Sequence, residues 1–263
     1  MIKWVSLSSL SDMASKKTIH KILTAGLVVL SLGGFLILSA YLAKIPLSFA
    51  HLWDYRIRFL QGFILTIELS LFSMLISLLI GLVVAWARQS KVLYLNYLAK
   101  TYVELIRGTP LLVQIIFFYY VIGTAWGIDN RFIAGVLILS VFEGAYISEI
   151  IRGGYVSIEA KQTEIAKAVG LTKRQTFRFI ILPQLSVRVL PALAGQFASV
   201  IKDSSLLSTI AVIELMQVTK EITANNFAIY FESYLVLALL YLCLTFPVSL
   251  LSKALEKRFS YEY

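Results

Sequence analysis

Six long apolar runs constrain this chain more than any other feature. They cover residues 22–42, 63–86, 111–125, 132–151, 187–216 and 230–251. Each is judged against the roughly 20 residues that a bilayer core requires. The pattern predicts an all-α integral membrane protein with about six transmembrane helices. Composition agrees: 59% of residues are hydrophobic and 15% charged, where a soluble domain sits near half and a quarter. Little sequence is left over for a soluble domain.

The basic residues give the orientation. With the N-terminus in the cytoplasm, the inner segments 1–21, 87–109, 151–185 and 253–263 hold 17 of the 24 Lys and Arg, and the outer segments hold five. That asymmetry follows the positive-inside rule. It places both termini and the 157–184 stretch in the cytoplasm, and it accounts for the net charge of +9 without a nucleic-acid partner.

The 157–184 stretch is the main polar interruption. Ile165, Ala168 and Val169 form a narrow helical stripe there. Gly170 is placed to end that helix in a left-handed conformation. Thr172 with Gln175 three residues on has capping-box spacing, which predicts two short helices meeting at a glycine. On pattern alone this is either a solvated loop on the bilayer surface or a docking element for a partner. A second amphipathic helix is expected between the second and third runs, with Leu95, Leu98, Tyr102 and Leu105 on one face.

The motifs that are absent narrow the chemistry. There is no phosphate-binding G-x-x-x-x-G-K-[ST] loop, no H-E-x-x-H and no G-x-S-x-G. Cys243 is the single cysteine, and His20 and His51 lack ligand-spaced partners, so neither a disulfide nor a metal site is expected. The N-terminal residues lack the order of a secretory signal peptide. Ionisable residues inside apolar runs are therefore the functional candidates. Glu143 lies deepest; it could bind a cationic group along a water-filled path or bond to a neighbouring helix. Glu149 and Arg152 stand three apart and are expected to pair. The cluster Lys202, Asp203, Ser204 and Ser205 predicts a helix break with a restart at one of the serines. Thr109 and Pro110 read as the N-cap and first turn of the third span.

Four ordered blocks resemble the permeases of bacterial ATP-binding-cassette importers, in particular the polar amino acid subfamily. They are Glu164-Ile165-Ala166 with Gly170 and Ile181-Leu182-Pro183 (an EAA-type loop), Arg107 to Gln114, Gly144 to Gly154, and Lys202 to Leu206. Gly62, Phe63 and Thr66 also fit. Two departures stand out: Lys161-Gln162 replaces the usual Gly-Gln, and Ile165 replaces the middle Ala.

The resemblance covers roughly residues 60–258. It implies the type I importer permease fold, with cytoplasmic coupling helices in the 157–184 loop, an additional transmembrane helix at 22–42 and an N-terminal cytoplasmic arm at 1–21. It implies Glu164, Ile165, Ala166, Gly170 and Leu171 as the ATPase-coupling residues. It places Glu143, Gln114, Tyr119, Lys202, Asp203 and Ser204 along the substrate path. The implied partners are an ATPase subunit dimer, a second permease subunit, an extracytoplasmic amino acid-binding protein and the lipid bilayer. The chain itself would catalyse no covalent reaction and hold no cofactor or metal; ATP and Mg would act on the ATPase. Cationic amino acids are favoured as cargo, with glutamine, histidine and cystine open. Two other classes remain: a gradient-driven carrier or channel using Glu143 and Lys202, and an intramembrane enzyme, for which no catalytic constellation is visible.

Overall fold

A computed structural model describes residues 7–42, 44, 49, 51–158 and 160–260. Every regular element among them is helical. Four helical stretches are long and apolar enough to cross a membrane: His51–Ala87, Arg131–Val156, Lys173–Ile210 and Phe227–Phe259. A fifth candidate is a pair of helices, Leu93–Gly108 and Leu111–Gly123, bent by 109°.

Helix α1 (Leu7–Leu42) covers the residues of the first expected span and most of the expected arm, but its apolar part, Gly26–Leu42, is shorter than the four spans above. Residues 1–6 of that arm lie outside the described residues. Val29, Leu30, Leu32 and Phe35 are all well exposed and point to different sides of the helix. Such a helix presents its surface to lipid or to another subunit.

The centre of the fold is the pairing of α2 (Arg56–Ala87) with α5 (Arg131–Val156). In a membrane, apolar surface gives helices no reason to prefer each other over lipid, so small residues and close packing decide. Ser70, Ser73, Ser77, Ser140 and Ser148 are fully buried. The Ser140 hydroxyl donates to the Val136 carbonyl at 2.6 Å, which satisfies it within its own helix. Gly144 faces Ile80, and Gly81 faces Ile147: a Cβ at either glycine would sit at 2.6 or 2.5 Å from the opposing Cγ2. The two glycines set how closely α2 and α5 approach.

The amphipathic helix α3 (Leu93–Gly108) forms, but its inward stripe is Ala99, Val103 and Ile106. Tyr102 packs beside this stripe, with its hydroxyl donating to the Val141 carbonyl. Leu98 and Leu105, expected on the apolar face, are exposed. The expected stripe counted large side chains, whereas the close approach to α5 selects the smaller Ala99 and Val103.

The third span is half of a broken pair rather than a fresh start. Thr109 ends α3, its hydroxyl donating back to the Leu105 carbonyl at 2.9 Å. Pro110, not Thr109, holds the N-cap position of α4 (Leu111–Phe117). Pro110 has no N–H to lose and its φ of −64° suits the corner. A wide π-type turn over Phe118–Gly123 continues α4.

The fifth span also differs. Helix α7 (Lys173–Thr176) runs through a π-type turn (Phe177–Ile181) into α8 (Leu182–Asp203). The π turn falls just before Pro183, which cannot donate to the preceding turn. At Ser204 the helix does not restart. The Ser204 hydroxyl donates to the Ile201 carbonyl at 2.8 Å and the chain tightens into a 3₁₀ turn, Ser204–Ile210. Ala211, at φ 56°, then breaks the helix.

The restart comes at Glu214. Its carboxylate accepts from the backbone N–H groups of Met216 and Gln217, at 2.9 and 2.8 Å. That caps α9 (Leu215–Asn225), a helix lying mostly between the fifth and sixth apolar runs. Thr66 on α2 accepts from the Leu215 N–H at 3.2 Å, and Gly62 lets α9 sit against α2. The last helix, α10 (Tyr230–Ser260), packs on α8 and α9.

Candidate functional site

The first candidate is built from α6 (Ala160–Ala168) and the turn after it. The Leu171 N–H donates to the Ala166 carbonyl at 2.9 Å and the Gly170 N–H to the Lys167 carbonyl at 3.0 Å. Together these bonds make a Schellman motif. Gly170 sits at φ +82°, as that motif requires. Thr172 then accepts from the Gln175 N–H, and the Gln175 side chain accepts from the Thr172 N–H, completing the capping box.

The element after the turn is not a second short helix, because α7 runs on into the span α8. The turn therefore leads without a break into a helix long and apolar enough to cross a membrane. Gln184 on α8 donates to Gln162 on α6, and Arg188 donates to Ser157, tying the loop to α8. Gln162, the residue of the Lys161-Gln162 pair that agrees with the related pattern, thus has a structural partner on α8.

The coupling candidates divide by exposure. Ala166 is 1% exposed and holds α6 against the body of the protein. Leu171 is half-buried, and Glu164 and Gly170 are exposed. Ile165 is 61% exposed and Val169 69%. The apolar stripe of α6 therefore faces away from this chain.

The membrane candidates do not all converge. Glu143 lies at the middle of α5, fully buried. The Gln196 side-chain amide on α8 donates to its Oε2, the Asp203 carboxyl interacts with it directly, and Oε1 has no partner among the described residues. Lys202 is exposed and Ser204 buried. This places the half-buried Gln196 amide and Asp203 carboxyl beside the fully buried Glu143 where α8 crosses α5.

Gln114 and Tyr119 lie elsewhere, on α4 and its π turn. The Gln114 amide donates to the Ile106 carbonyl at 2.7 Å and to the Thr109 hydroxyl at 2.7 Å, which stitches the break between α3 and α4. Its Oε1 is buried without a partner among the described residues. Tyr119 is half-buried and stacks edge-on with Tyr120 at 5.0 Å.

Two features were not anticipated from the sequence. Gln196 carried no signal beyond being a polar residue in an apolar run. The expected Glu149–Arg152 pair forms, with Nε and Nη2 of Arg152 at 3.1 and 2.8 Å. Arg88 at the end of α2 also pairs with Glu149, and Arg107 at the end of α3 lies at 3.8 Å. One carboxylate thus gathers the ends of three helices. Burial and the neighbouring arginines push the Arg88 guanidinium below its ordinary range.

Comparison with known proteins places this geometry. Residues 77–261 match the family described as binding-protein-dependent transport system inner membrane component. The glutamine transport system permease protein GlnP of Escherichia coli (strain K12) is 37% identical over 202 residues, covering 76% of this chain and 91% of the relative. The L-cystine transport system permease protein TcyB of Bacillus subtilis (strain 168) is 36% identical over 197 residues, 75% of this chain and 84% of the relative. Among solved structures, an amino acid ABC transporter crystallised with histidines aligns with a TM-score of 0.75 and 32% identity, covering 81% of this chain and 100% of that one. The inward-facing MetNI methionine transporter aligns at 0.59 with 16% identity, which speaks to the fold alone. The fold, the α6–α7 turn and these matches together make this chain a member of the family of inner membrane components of binding-protein-dependent transport systems, the multi-pass permease subunits of ATP-binding-cassette importers, whose ATPase is a separate subunit.

Proposed function

We propose that this chain is the permease subunit of an ATP-driven importer for polar amino acids. The observation that carries the reading is that relatives above 30% identity over most of the chain are named for amino acid transport, glutamine and cystine among them. Two permease subunits, identical or related, form the path. Two ATPase subunits lie beneath, each receiving one α6–α7 turn in a cleft, and they alone hold ATP and Mg. A binding protein delivers the amino acid from outside, and both termini lie in the cytoplasm.

The exposed stripe of Ile165 and Val169, with Glu164 and Gly170 beside it, is the contact with the ATPase. Because α7 continues into α8, closure of the ATPases on nucleotide moves α8. Helix α8 also carries Gln196 and Asp203, so the same motion rearranges the groups around Glu143.

The Glu143–Asp203 carboxyl pair favours an amino acid with a cationic side chain, since a carboxylate pair in low dielectric gains most from a positive partner. Glutamine is the second reading, favoured by the name of the E. coli relative. Reconstitution with the ATPase and the binding protein tests both, using ATP hydrolysis against a panel of amino acids. Arginine or lysine should stimulate more than glutamine, and Glu143→Gln should lower the arginine response selectively. An undiminished arginine response in that variant removes Glu143 from the path.

A further inference from the structure

A groove of about 460 Å³ lies on the flank of the protein, between one end of α2 and the first half of α10. On α2, Arg56, Phe59 and Phe63 form one wall at helical spacing; on α10, Val236, Leu240 and Cys243 form the other. Phe59, Phe63, Val236 and Leu240 belong to the cluster in which both helices pack against α9, whose Leu215, Val218 and Ile222 lie beneath. That arrangement leaves a slot between α2 and α10 on the side away from α9. The short turn His51–Tyr55 closes one end and brings Trp53 to the rim.

Among the described residues, Arg56 is the one charged residue lining the groove. Its guanidinium stacks on the Trp53 ring at 5.2 Å and donates to the Trp53 carbonyl at 3.0 Å. Among the described residues it forms no ion pair, whereas Arg58, two residues on, pairs with Glu221. An apolar slot with an aromatic ring and a cation outside any ion pair at its rim has the chemistry of an amphiphile site. A Trp–Arg pair at the end of a spanning helix is also where headgroups lie.

We propose that this groove binds an anionic phospholipid, its acyl chain between α2 and α10 and its phosphate on Arg56. Charge complementarity selects this occupant over a second protein helix, which would bury the Arg56 charge without a partner. The reading rests on membrane insertion of α2 and α10 but not on the identity of the cargo. By the count of basic residues the site faces the outer leaflet.

Cys243, exposed in the groove wall and the single cysteine of the chain, is a built-in reporter. The full-length chain is placed in nanodiscs of phosphatidylcholine, with or without phosphatidylglycerol, and alkylation of Cys243 by a maleimide is followed by intact mass. Phosphatidylglycerol should slow the reaction about fivefold, as about 1 kcal/mol of preference per basic residue gives. Arg56→Gln should abolish the difference while keeping the rate in phosphatidylcholine; Arg58→Gln should retain it. Should Arg56→Gln fail to fold, Leu240→Trp, which fills the slot, should make the rate low and independent of lipid. Equal rates in the two lipids for the unaltered chain overturn the proposal. So does protection that disappears on removing residues 1–42, which would make α1 the occupant, or protection that depends on protein density in the disc, which would make it a second copy.

Discussion

Arg88, where α2 ends, pairs with Glu149 on α5, and Arg107 and Arg152 converge on the same carboxylate. The Glu149 side chain is 17% exposed, so solvent does little to screen it. Removing the Glu149 carboxylate leaves Arg88, Arg107 and Arg152 without the anion they share, whereas removing one arginine leaves Glu149 still paired with the other two. Glu149→Gln should therefore destabilise the protein by about 1–3 kcal/mol, and Arg152→Gln by less than about 1 kcal/mol. Thermal unfolding in a fixed lipid composition gives the order; a milder effect of Glu149→Gln than of Arg152→Gln would refute it.

Gly144 and Ile80 should behave as an interlocking pair. A Cβ at Gly144 would stand 2.6 Å from Ile80 Cγ2, so Gly144→Ala should cost about 1–3 kcal/mol by overpacking. Ile80→Ala made together with it should restore part of that loss, giving a non-additive double-mutant cycle. Strict additivity would show that α2 and α5 do not approach this closely.

Ile165 and Ala166 are neighbours on α6 with opposite exposure. Ile165→Asp should leave thermal stability within about 0.5 kcal/mol, as surface substitutions do, yet weaken association with the ATPase subunit. Ala166→Asp buries a carboxylate and should lower stability itself. Co-purification with the ATPase, measured beside thermal unfolding, separates the two effects. Normal association of the Ile165→Asp chain would move the docking surface elsewhere.

The parts of this architecture written in local code were legible in the sequence. Gly170, Thr172 and Gln175 lie within one short stretch, so residue type and spacing predicted the left-handed glycine that ends α6 and the capping box that follows. Glu149 and Arg152 share a helix turn, and their pairing was equally visible. Arg88 and Arg107 reach the same carboxylate from other helices, and nothing in their own surroundings announced it. The α3–α4 corner was marked by Gly108, Thr109 and Pro110, but those residues signal a boundary without saying what lies before it; the 109° bend depends on α3 packing against α5. Helix α9 carries a local signal between the fifth and sixth apolar runs: Leu215, Val218 and Ile222 repeat at helical spacing behind Glu214. Gln196 pairs with Glu143 only because α8 crosses α5 at that depth, which is tertiary information.

Thr172 carries a smaller but specific expectation. Thr172→Ala removes the capping bond to the Gln175 N–H and should destabilise the start of α7 by about 1 kcal/mol. Because α7 continues into α8, the loss should stay local. Hydrogen exchange should rise at residues 173–177 and not at α6; a uniform increase across both helices would contradict the continuity of α7 with the span.

The central claim is that the α6–α7 turn, bent at Gly170, carries the work of a separate ATPase into the membrane. The direct measurement is amino acid-stimulated ATP hydrolysis by the reconstituted complex bearing Gly170→Asp, with the amount of permease in the membrane determined alongside. A charged side chain held at a left-handed position on the docking turn should abolish stimulation and uptake while the permease remains in the bilayer at normal amounts. Stimulated hydrolysis and uptake at the level of the unaltered complex would contradict the account.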